Sequence, residues 1–184
     1  MIHYIFSDKT GTLTQNVMEF KKFTAGAYSY GLTNVNPENQ KHMAPGVTNV
    51  KFEDPQFYEH YANREHPNYP YIRRFVELLG LCHTVIEEYT ESEVLKYNAS
   101  SPDELALVNA SRYFGFEFRG RDIDNNILIN DRGVERTYKL LNVIEFTSLR
   151  KRMTTVLYDN ERNEIKVFIK GADNIILPLL RPGQ

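Results

Sequence analysis

The chain has 184 residues, of which 41% are hydrophobic and 25% are charged, and its formal net charge at pH 7 is -2. This length suits one compact domain, and the composition argues against a disordered, fibrous or low-complexity chain. Two features argue against nucleic-acid binding: the net charge is small, and basic residues cluster only at Arg150, Lys151 and Arg152.

Cysteine content and hydropathy bear on the cellular setting. Cys82 is the single cysteine, so no intrachain disulfide can form and a cytosolic compartment is expected. The longest strongly apolar stretch, residues 175–180, contains Pro178 and is too short to cross a bilayer. The N-terminus has no secretory signal. We therefore expect any membrane connection to lie outside this chain.

The first third of the chain predicts short strands, one loop and one helix. Residues 2–6 predict a short buried strand that runs into a polar segment. Residues 18–30 predict two short strands, and residues 33–51 predict a loop rich in Asn, Pro and Gly. Asp54 and Pro55 are typical of a helix N-cap followed by proline at the first helical position.

Two further helices are predicted from apolar residues at helical spacing. The first carries a continuous apolar stripe that should face the core. This stripe consists of Ile72, Phe75, Val76, Leu79 and Cys82. The neighbouring His83 is expected to be structural. The next helix is predicted to begin at Ser101 and to carry Leu107, Ala110 and Phe114 on one face.

After Gly115 the pattern becomes typical of β-structure. Residues 134–145, 152–158 and 164–170 predict strands, and residues 159–163 predict a hairpin connection between the last two. Strands that follow one another without intervening helices favour an antiparallel sheet. The fold class predicted is therefore α+β, an antiparallel β-sheet flanked by helices.

Residues 7–14, Ser-Asp-Lys-Thr-Gly-Thr-Leu-Thr, place a carboxylate at the end of the first predicted strand. Such a carboxylate can attack an in-line phosphoryl group if cations neutralise the developing charge, and Lys9 and a magnesium ion would supply them. Gly11 lets the backbone approach phosphate oxygens, to which the hydroxyls of Thr10 and Thr12 can donate. A polar β-turn is the alternative interpretation of this composition.

The segment matches the phosphorylation motif of P-type ATPases. This resemblance implies that Asp8 is the nucleophile that takes the γ-phosphate of ATP, with Lys9 and Thr10 as further catalytic residues and Asp8 and Thr10 at Mg²⁺. Phosphatases of the haloacid-dehalogenase superfamily resemble this loop but carry a second Asp where this chain has Thr10. Without that carboxylate to activate water, an aspartyl-phosphate would persist, so the phosphatase interpretation is less favoured.

A second motif resembles the nucleotide-binding domain of the same family. Residues 101–108, Ser-Pro-Asp-Glu-Leu-Ala-Leu-Val, are similar to a segment characteristic of the lipid-flippase class. The resemblance implies that Glu104 approaches the amino group of adenine. Ser101 and Glu104 also form a capping-box pattern, in which both side chains satisfy free backbone donors of the first helical turn. The two roles can coexist.

Two later segments resemble the same pocket. Residues 145–154 look like the adenine segment of the family, in which Phe146 would stack on the base and Lys151 would offer a cation. Core packing is the alternative for Phe146. Residues 170–173, Lys-Gly-Ala-Asp, are similar to a segment whose lysine, here Lys170, lines the pocket. The alternative there is a strand-to-helix turn with Asp173 near the helix start.

These resemblances imply an ATP-binding domain of a phospholipid-translocating pump that uses ATP and Mg²⁺. Residues 1–14 are interpreted as the leading edge of the phosphorylation domain with a hinge, and residues 15–184 as a nucleotide-binding domain that is C-terminally incomplete relative to the family. The piece itself is expected to be soluble, at the cytoplasmic face of a membrane, with weak nucleotide binding and no efficient turnover.

The implied partners are the remaining pump domains, a phospholipid substrate bound through a transmembrane domain, and an accessory subunit. Nucleic acid is not expected. Two alternatives stay open: the corresponding domain of a cation-transporting P-type ATPase, and a non-catalytic interaction module whose ATP-like motifs are incidental.

Overall fold

The computed structural model describes residues 3–7, 12–35 and 44–181, and it has the predicted α+β architecture. The strands are β1 (Phe23–Ala25), β2 (Tyr28–Tyr30), β3 (Ile86–Tyr89), β4 (Leu95–Asn98), β5 (Phe116–Arg121), β6 (Ile127–Asp131), β7 (Val134–Ile144), β8 (Arg152–Asp159) and β9 (Glu164–Gly171). The helices are α1 (Pro55–Ala62), α2 (Tyr69–Leu81), α3 (Pro102–Tyr113) and α4 (Asp173–Ile176), and a 3₁₀ turn follows at Leu177–Leu179.

Strands β5 to β9 form one antiparallel sheet in which each strand pairs with the next along the chain. The β6–β7 hairpin turns at Arg132 and Gly133, whose φ angles of 52° and 89° suit the two-residue turn that matches strand twist. The hairpin predicted between residues 159 and 163 is confirmed, and there Asn163 has a φ of 54°. The pairs β1–β2 and β3–β4 form two separate antiparallel hairpins.

Helices α2 and α3 pack on each other and on β5, so the predicted apolar stripe of α2 faces the core. Beside them lies a cluster of buried and half-buried aromatic rings, in which Phe23 stacks on Phe75 with 4.3 Å between ring centroids. The other rings of this cluster are Phe20, Phe52, Phe57 and Phe114. Burial of these apolar rings contributes most of the driving force for packing this aromatic cluster.

The predicted start of α1 is confirmed in atomic detail. The Asp54 side chain accepts hydrogen bonds from the backbone N–H groups of Gln56 and Phe57, and Pro55 occupies the first helical position. These contacts satisfy backbone donors that a helix N-terminus leaves free.

The capping box predicted at α3 is wrong. Ser101 is the N-cap residue, but its side chain makes no capping hydrogen bond. The Glu104 carboxylate that such a box would use is instead bonded to Lys170 and Thr84. The tertiary ion pair therefore replaces the local contact.

The strand predicted at residues 2–6 is also wrong for the residues that the structure describes. Residues 3–6 have no regular secondary structure, and the exposed fractions of Tyr4, Ile5 and Phe6 are 81%, 86% and 93%. No strand of the described chain pairs with them, so their apolar side chains have no sheet to pack against. Within the described residues, no helix has the length and apolar character needed to span a bilayer.

A buried ion network joins α2 to the sheet. Arg73 donates to Glu77 at 2.8 Å and to Asp131 at 2.9 Å, and Lys166 on β9 contacts Glu77 at 3.0 Å. Burial raises the pKa of Asp131, but the hydrogen bond and charge of Arg73 outweigh burial and hold that pKa below its ordinary value. The network anchors β6 and β9 to the same helix, and it contacts β9 near the start of that strand.

Candidate functional site

A cavity lies between the start of α3, the end of β9 and the connection that follows β7. Its volume is about 780 Å³, and its walls include Glu104, Phe146 and Lys170. Glu104, Phe146 and Lys170, which come from three separate sequence motifs, therefore meet at one cleft. We call this cavity the α3 cleft.

Lys170 and Glu104 form an ion pair in the wall of the α3 cleft. Lys170 Nζ lies 2.7 Å from Glu104 Oε1, and the side chains are 19% and 13% exposed respectively. Burial raises the pKa of Glu104, but hydrogen bonds from Lys170 and Thr84, with the lysine charge, outweigh burial and lower that pKa below its ordinary value. Glu104 is therefore held ionised as a hydrogen-bond acceptor.

Thr84, in the connection between α2 and β3, contacts the second oxygen of the same carboxylate. Its hydroxyl donates to Glu104 Oε2 at 2.8 Å, and its backbone N–H donates to that oxygen at 3.3 Å. Thr84 also lines the α3 cleft. The sequence motifs do not identify Thr84, because a lone threonine after a helix carries no recognisable signal.

The ring of His83 stabilises this connection through two hydrogen bonds. One ring nitrogen is 3.0 Å from the Gly80 carbonyl oxygen, and the other accepts from the Val85 backbone N–H at 3.1 Å. Burial, with the charges of Arg121 and Lys170, lowers the pKa of His83 to about 3. His83 is therefore a neutral, fully buried structural residue, which confirms the prediction made for it.

Phe146 lines the α3 cleft, just beyond the end of β7. Its exposed fraction is 59%, so the core-packing alternative is wrong for this ring. An aromatic ring with this exposure at a cavity wall is available for stacking on a planar ligand. Leu107 and the buried Met153 supply apolar surface to the same cavity.

Lys151 is placed differently from the other three predicted residues. It has a φ of 50°, its backbone N–H donates to the Thr147 carbonyl oxygen at 2.7 Å, and its own carbonyl oxygen accepts from Ala172 at 3.1 Å. Its side chain is exposed and does not line the α3 cleft in the described part of the chain. The structure thus brings its backbone beside the Lys-Gly-Ala-Asp segment, and its binding role stays a prediction.

Gly171 permits this close approach of the two segments. A Cβ atom at position 171 would lie 2.6 Å from the Lys151 carbonyl oxygen and 2.7 Å from the Arg152 Cβ atom. The strand-to-helix turn predicted at residues 170–173 is confirmed, since β9 ends at Gly171 and α4 begins at Asp173. Glycine at this corner and the role of Lys170 in the cleft are compatible.

The predicted nucleophile and its neighbours, Asp8, Lys9 and Thr10, lie outside the described residues. Their catalytic and Mg²⁺-binding roles therefore stay predictions. Among the residues that are described, no group of three or more His, Cys, Asp or Glu side chains could hold a metal ion.

Comparison with known proteins identifies the family of this chain. Residues 71–180 match the family model described as P-type ATPase, cytoplasmic domain N. The human protein named Phospholipid-transporting ATPase IC is 44% identical over 184 residues, which cover 95% of this chain and 14% of that relative. The human protein named Probable phospholipid-transporting ATPase IM is 39% identical over 191 residues, covering 100% of this chain and 16% of that relative.

The mouse protein named Phospholipid-transporting ATPase IC is 41% identical, again over 95% of this chain and 14% of the relative. The chain thus spans less than a fifth of the length of these relatives. It belongs to the P-type ATPase family: it contains the family's cytoplasmic domain N, and its relatives are phospholipid-transporting members.

Proposed function

We propose that this chain is the ATP-binding part of a phospholipid-translocating P-type ATPase, and that the α3 cleft holds the nucleotide. The observation that carries the proposal is the convergence of Glu104, Phe146 and Lys170 on one cavity, although 66 residues separate the first from the last. A volume of about 780 Å³ lies within the range of small-molecule sites.

Each wall of the α3 cleft suits one part of an adenine nucleotide. The exposed ring of Phe146 can stack on the base, which is worth about 1–3 kcal/mol for base-aromatic contacts. Glu104, an ionised acceptor, suits the amino group of adenine. Lys170 adds a cation in a partly buried setting, where charge-assisted hydrogen bonds are stronger than at the surface.

The charges of the cavity wall favour one orientation of the ligand. Asp103, Glu104 and Glu145 line the α3 cleft together with the single cation Lys170 among the described wall residues. A triphosphate deep in this cavity would face net negative charge, whereas an uncharged base would not. We therefore propose that the base enters the cleft and the phosphates stay at its mouth.

In this proposal the γ-phosphate is transferred from the nucleotide to Asp8. A carboxylate oxygen of Asp8 attacks the γ-phosphorus, the bond to the β-phosphate oxygen breaks, and ADP departs. Lys9 and Thr10 neutralise and bind the transferring group. Mg²⁺, with Asp8 and Thr10 as proposed ligands, supplies positive charge to the phosphates when bound.

The domain assignment belongs to the same proposal. Residues 1–14 would be the leading edge of the phosphorylation domain, and residues 15–184 would belong to the nucleotide-binding domain. The remaining pump domains, a phospholipid substrate and an accessory subunit are the proposed partners, at the cytoplasmic face of a membrane. The names of the relatives favour phospholipid over cation transport.

Titration of the chain with ATP, followed by amide chemical shifts, tests nucleotide binding. We expect localised shifts at Glu104, Phe146 and Lys170 that are lost in Lys170→Met. Lys139→Met, at an exposed position on β7 outside the cleft, is the matched control and should leave the shifts intact. Shifts scattered over the surface, or none at millimolar ATP, would instead favour an interaction module without a nucleotide site.

Phosphate transfer needs a separate test in the full-length pump. We expect acid-stable labelling of the pump from ATP labelled at the γ-phosphate, and loss of this label in Asp8→Asn. A label that persists in Asp8→Asn would reject Asp8 as the nucleophile while leaving nucleotide binding untouched.

A further inference from the structure

We propose that Thr84 is a positioning residue that fixes the Glu104 carboxylate in the orientation that selects a purine bearing an amino group. The inference rests on the proposed nucleotide site and extends it by a residue outside the recognised motifs. It is carried by the contacts between Thr84 and Glu104 and by the way the α2–β3 connection is held.

Thr84 binds one carboxylate oxygen with two donors. The hydroxyl lies 2.8 Å and the backbone nitrogen 3.3 Å from Glu104 Oε2, while Lys170 Nζ lies 2.7 Å from Oε1. Each oxygen therefore has its own fixed partner. This arrangement sets the rotation of the carboxylate plane, because a turn about the last side-chain bond would break both sets of contacts.

The connection that carries Thr84 is itself rigidly held. His83 is 1% exposed, and its ring bonds to Gly80 and Val85 on either side of Thr84. Arg121 on β5 donates to the His83 carbonyl oxygen at 3.3 Å. The segment that carries Thr84 is thus held by contacts to the end of α2 and to the sheet of strands β5 to β9. Thr84 itself lines the α3 cleft.

The consequence for binding is a difference between ligands. An ionised carboxylate only accepts hydrogen bonds, so it favours the amino group of adenine and disfavours the carbonyl oxygen that hypoxanthine has at the same position. Without the Thr84 hydroxyl, the carboxylate is free to turn towards Lys170 and bind it through both oxygens. Its acceptor lone pairs would then no longer be aimed at the base.

Thr84→Val tests this inference, because valine keeps the shape and the backbone donor and removes only the hydroxyl. Thr84→Ser retains a hydroxyl and is the rescue variant. Thr137→Val, at an exposed position on β7 away from the cleft, is the matched control. The first measurement is the pKa of the Glu104 carboxyl by carbon NMR in the nucleotide-free 184-residue chain.

We expect Thr84→Val to raise the pKa of Glu104, since a hydrogen bond to the charged form is lost. Thr84→Ser should restore most of the difference, and Thr137→Val should produce none. This measurement needs no nucleotide, so it stands whether or not the α3 cleft binds ATP.

The second measurement compares the affinities of ATP and ITP, whose bases differ at that amino group. We expect Thr84→Val to weaken ATP binding by about tenfold while ITP binding changes by less than about twofold. Thr84→Ser should recover the preference for ATP. Equal weakening of both ligands would show a merely structural role and overturn the inference.

The two readouts separate the possible failures. If the wild-type chain binds neither nucleotide, the proposed function fails, and the claim about base selection fails with it. If ATP binds but Thr84→Val changes neither the pKa of Glu104 nor the ratio of ATP to ITP affinity, the positioning role of Thr84 is overturned and the proposed function stands.

Discussion

Lys170, the penultimate residue of β9, and Glu104, in the first turn of α3, are joined by a 2.7 Å ion pair across 66 residues of sequence. The pair connects two motifs that are separate in the sequence and closes one side of the α3 cleft. Because Thr84 takes the other oxygen, the carboxylate has no need of the local capping contact that the sequence pattern suggests.

Removal of the lysine charge should affect both the ligand and the carboxylate. Lys170→Met is expected to weaken ATP binding by about tenfold to a hundredfold, because the proposed charge-assisted hydrogen bond from Lys170 to the nucleotide is lost. The same change should raise the pKa of Glu104 towards its ordinary value, since the lysine holds it down. Calorimetry and carbon NMR check the two effects, with Lys139→Met as control. Unchanged affinity would remove Lys170 from the site.

Phe146 should matter for binding and not for folding. Phe146→Ala is expected to weaken ATP binding by about tenfold, corresponding to stacking at the low end of 1–3 kcal/mol. Its exposed fraction of 59% predicts little change in the free energy of unfolding. Phe114→Ala is the contrasting variant: Phe114 is 5% exposed, so this change should destabilise the chain by about 3–5 kcal/mol.

Denaturant unfolding monitored by fluorescence separates these two variants. A strongly destabilised Phe146→Ala chain would mean that the ring belongs to the core, and it would contradict the proposal that Phe146 stacks on the base.

Acid should destabilise the chain through His83. Its pKa in the folded state is about 3, below the ordinary value of 6.5, so the unfolded chain binds an extra proton between these values. The stabilising contribution is fully present above pH 6.5 and is lost as the pH falls towards 3. Between pH 5.5 and 4.5 the slope should approach about 1.4 kcal/mol per pH unit.

Urea unfolding at a series of pH values measures this slope. Glu104 and Asp131, whose pKa values are also lowered, add to the slope as the pH falls towards their ordinary values of 4.5 and 3.8, so the contribution of His83 is the part of the slope that its substitution removes. His83→Asn should flatten the slope, whereas His3→Asn, at an exposed position, should leave it unchanged. An equal slope in all three chains would assign the acid sensitivity to other groups.

Removal of the central arginine of the buried ion network should strongly destabilise the fold. Arg73→Met removes the arginine that bonds to both Glu77 and Asp131, whose side chains are 2% and 4% exposed. We expect a loss of about 3–5 kcal/mol in the free energy of unfolding. Arg162→Met is the matched control, because Arg162 is 54% exposed and 3.9 Å from Glu77, and its loss should be below about 1 kcal/mol. Similar losses in both variants would show that burial does not set the strength of this network.

The sequence predicts the helices and the last three strands well, because their apolar residues recur with the helical or β period. Strands β3 to β6 are less recognisable. In β3, for example, Ile86 and Tyr89 are exposed and Glu87 and Glu88 lie between them, so no alternating pattern marks a buried face. Residues 3–6 show the opposite error: they are rich in strand-forming side chains, but strand formation needs a neighbour that the described chain lacks.

The candidate site likewise contains residues that could be predicted from the sequence and one that could not. Glu104, Phe146 and Lys170 could be predicted because each belongs to a recognisable segment. Thr84 could not, since its role depends on the tertiary approach of α3 to the α2–β3 connection. Lys151 belongs to a recognisable segment, yet its positive φ turns the chain so that its backbone, and not its side chain, meets the other motif.

The most direct test of the account is the location of the adenine ring itself. We expect intermolecular NOEs between the adenine protons of ATP and the ring protons of Phe146, with weaker contacts to Leu107 and Met153 in the cavity wall. NOEs from adenine to a different surface, with none to Phe146, would contradict the claim that the α3 cleft is a nucleotide site.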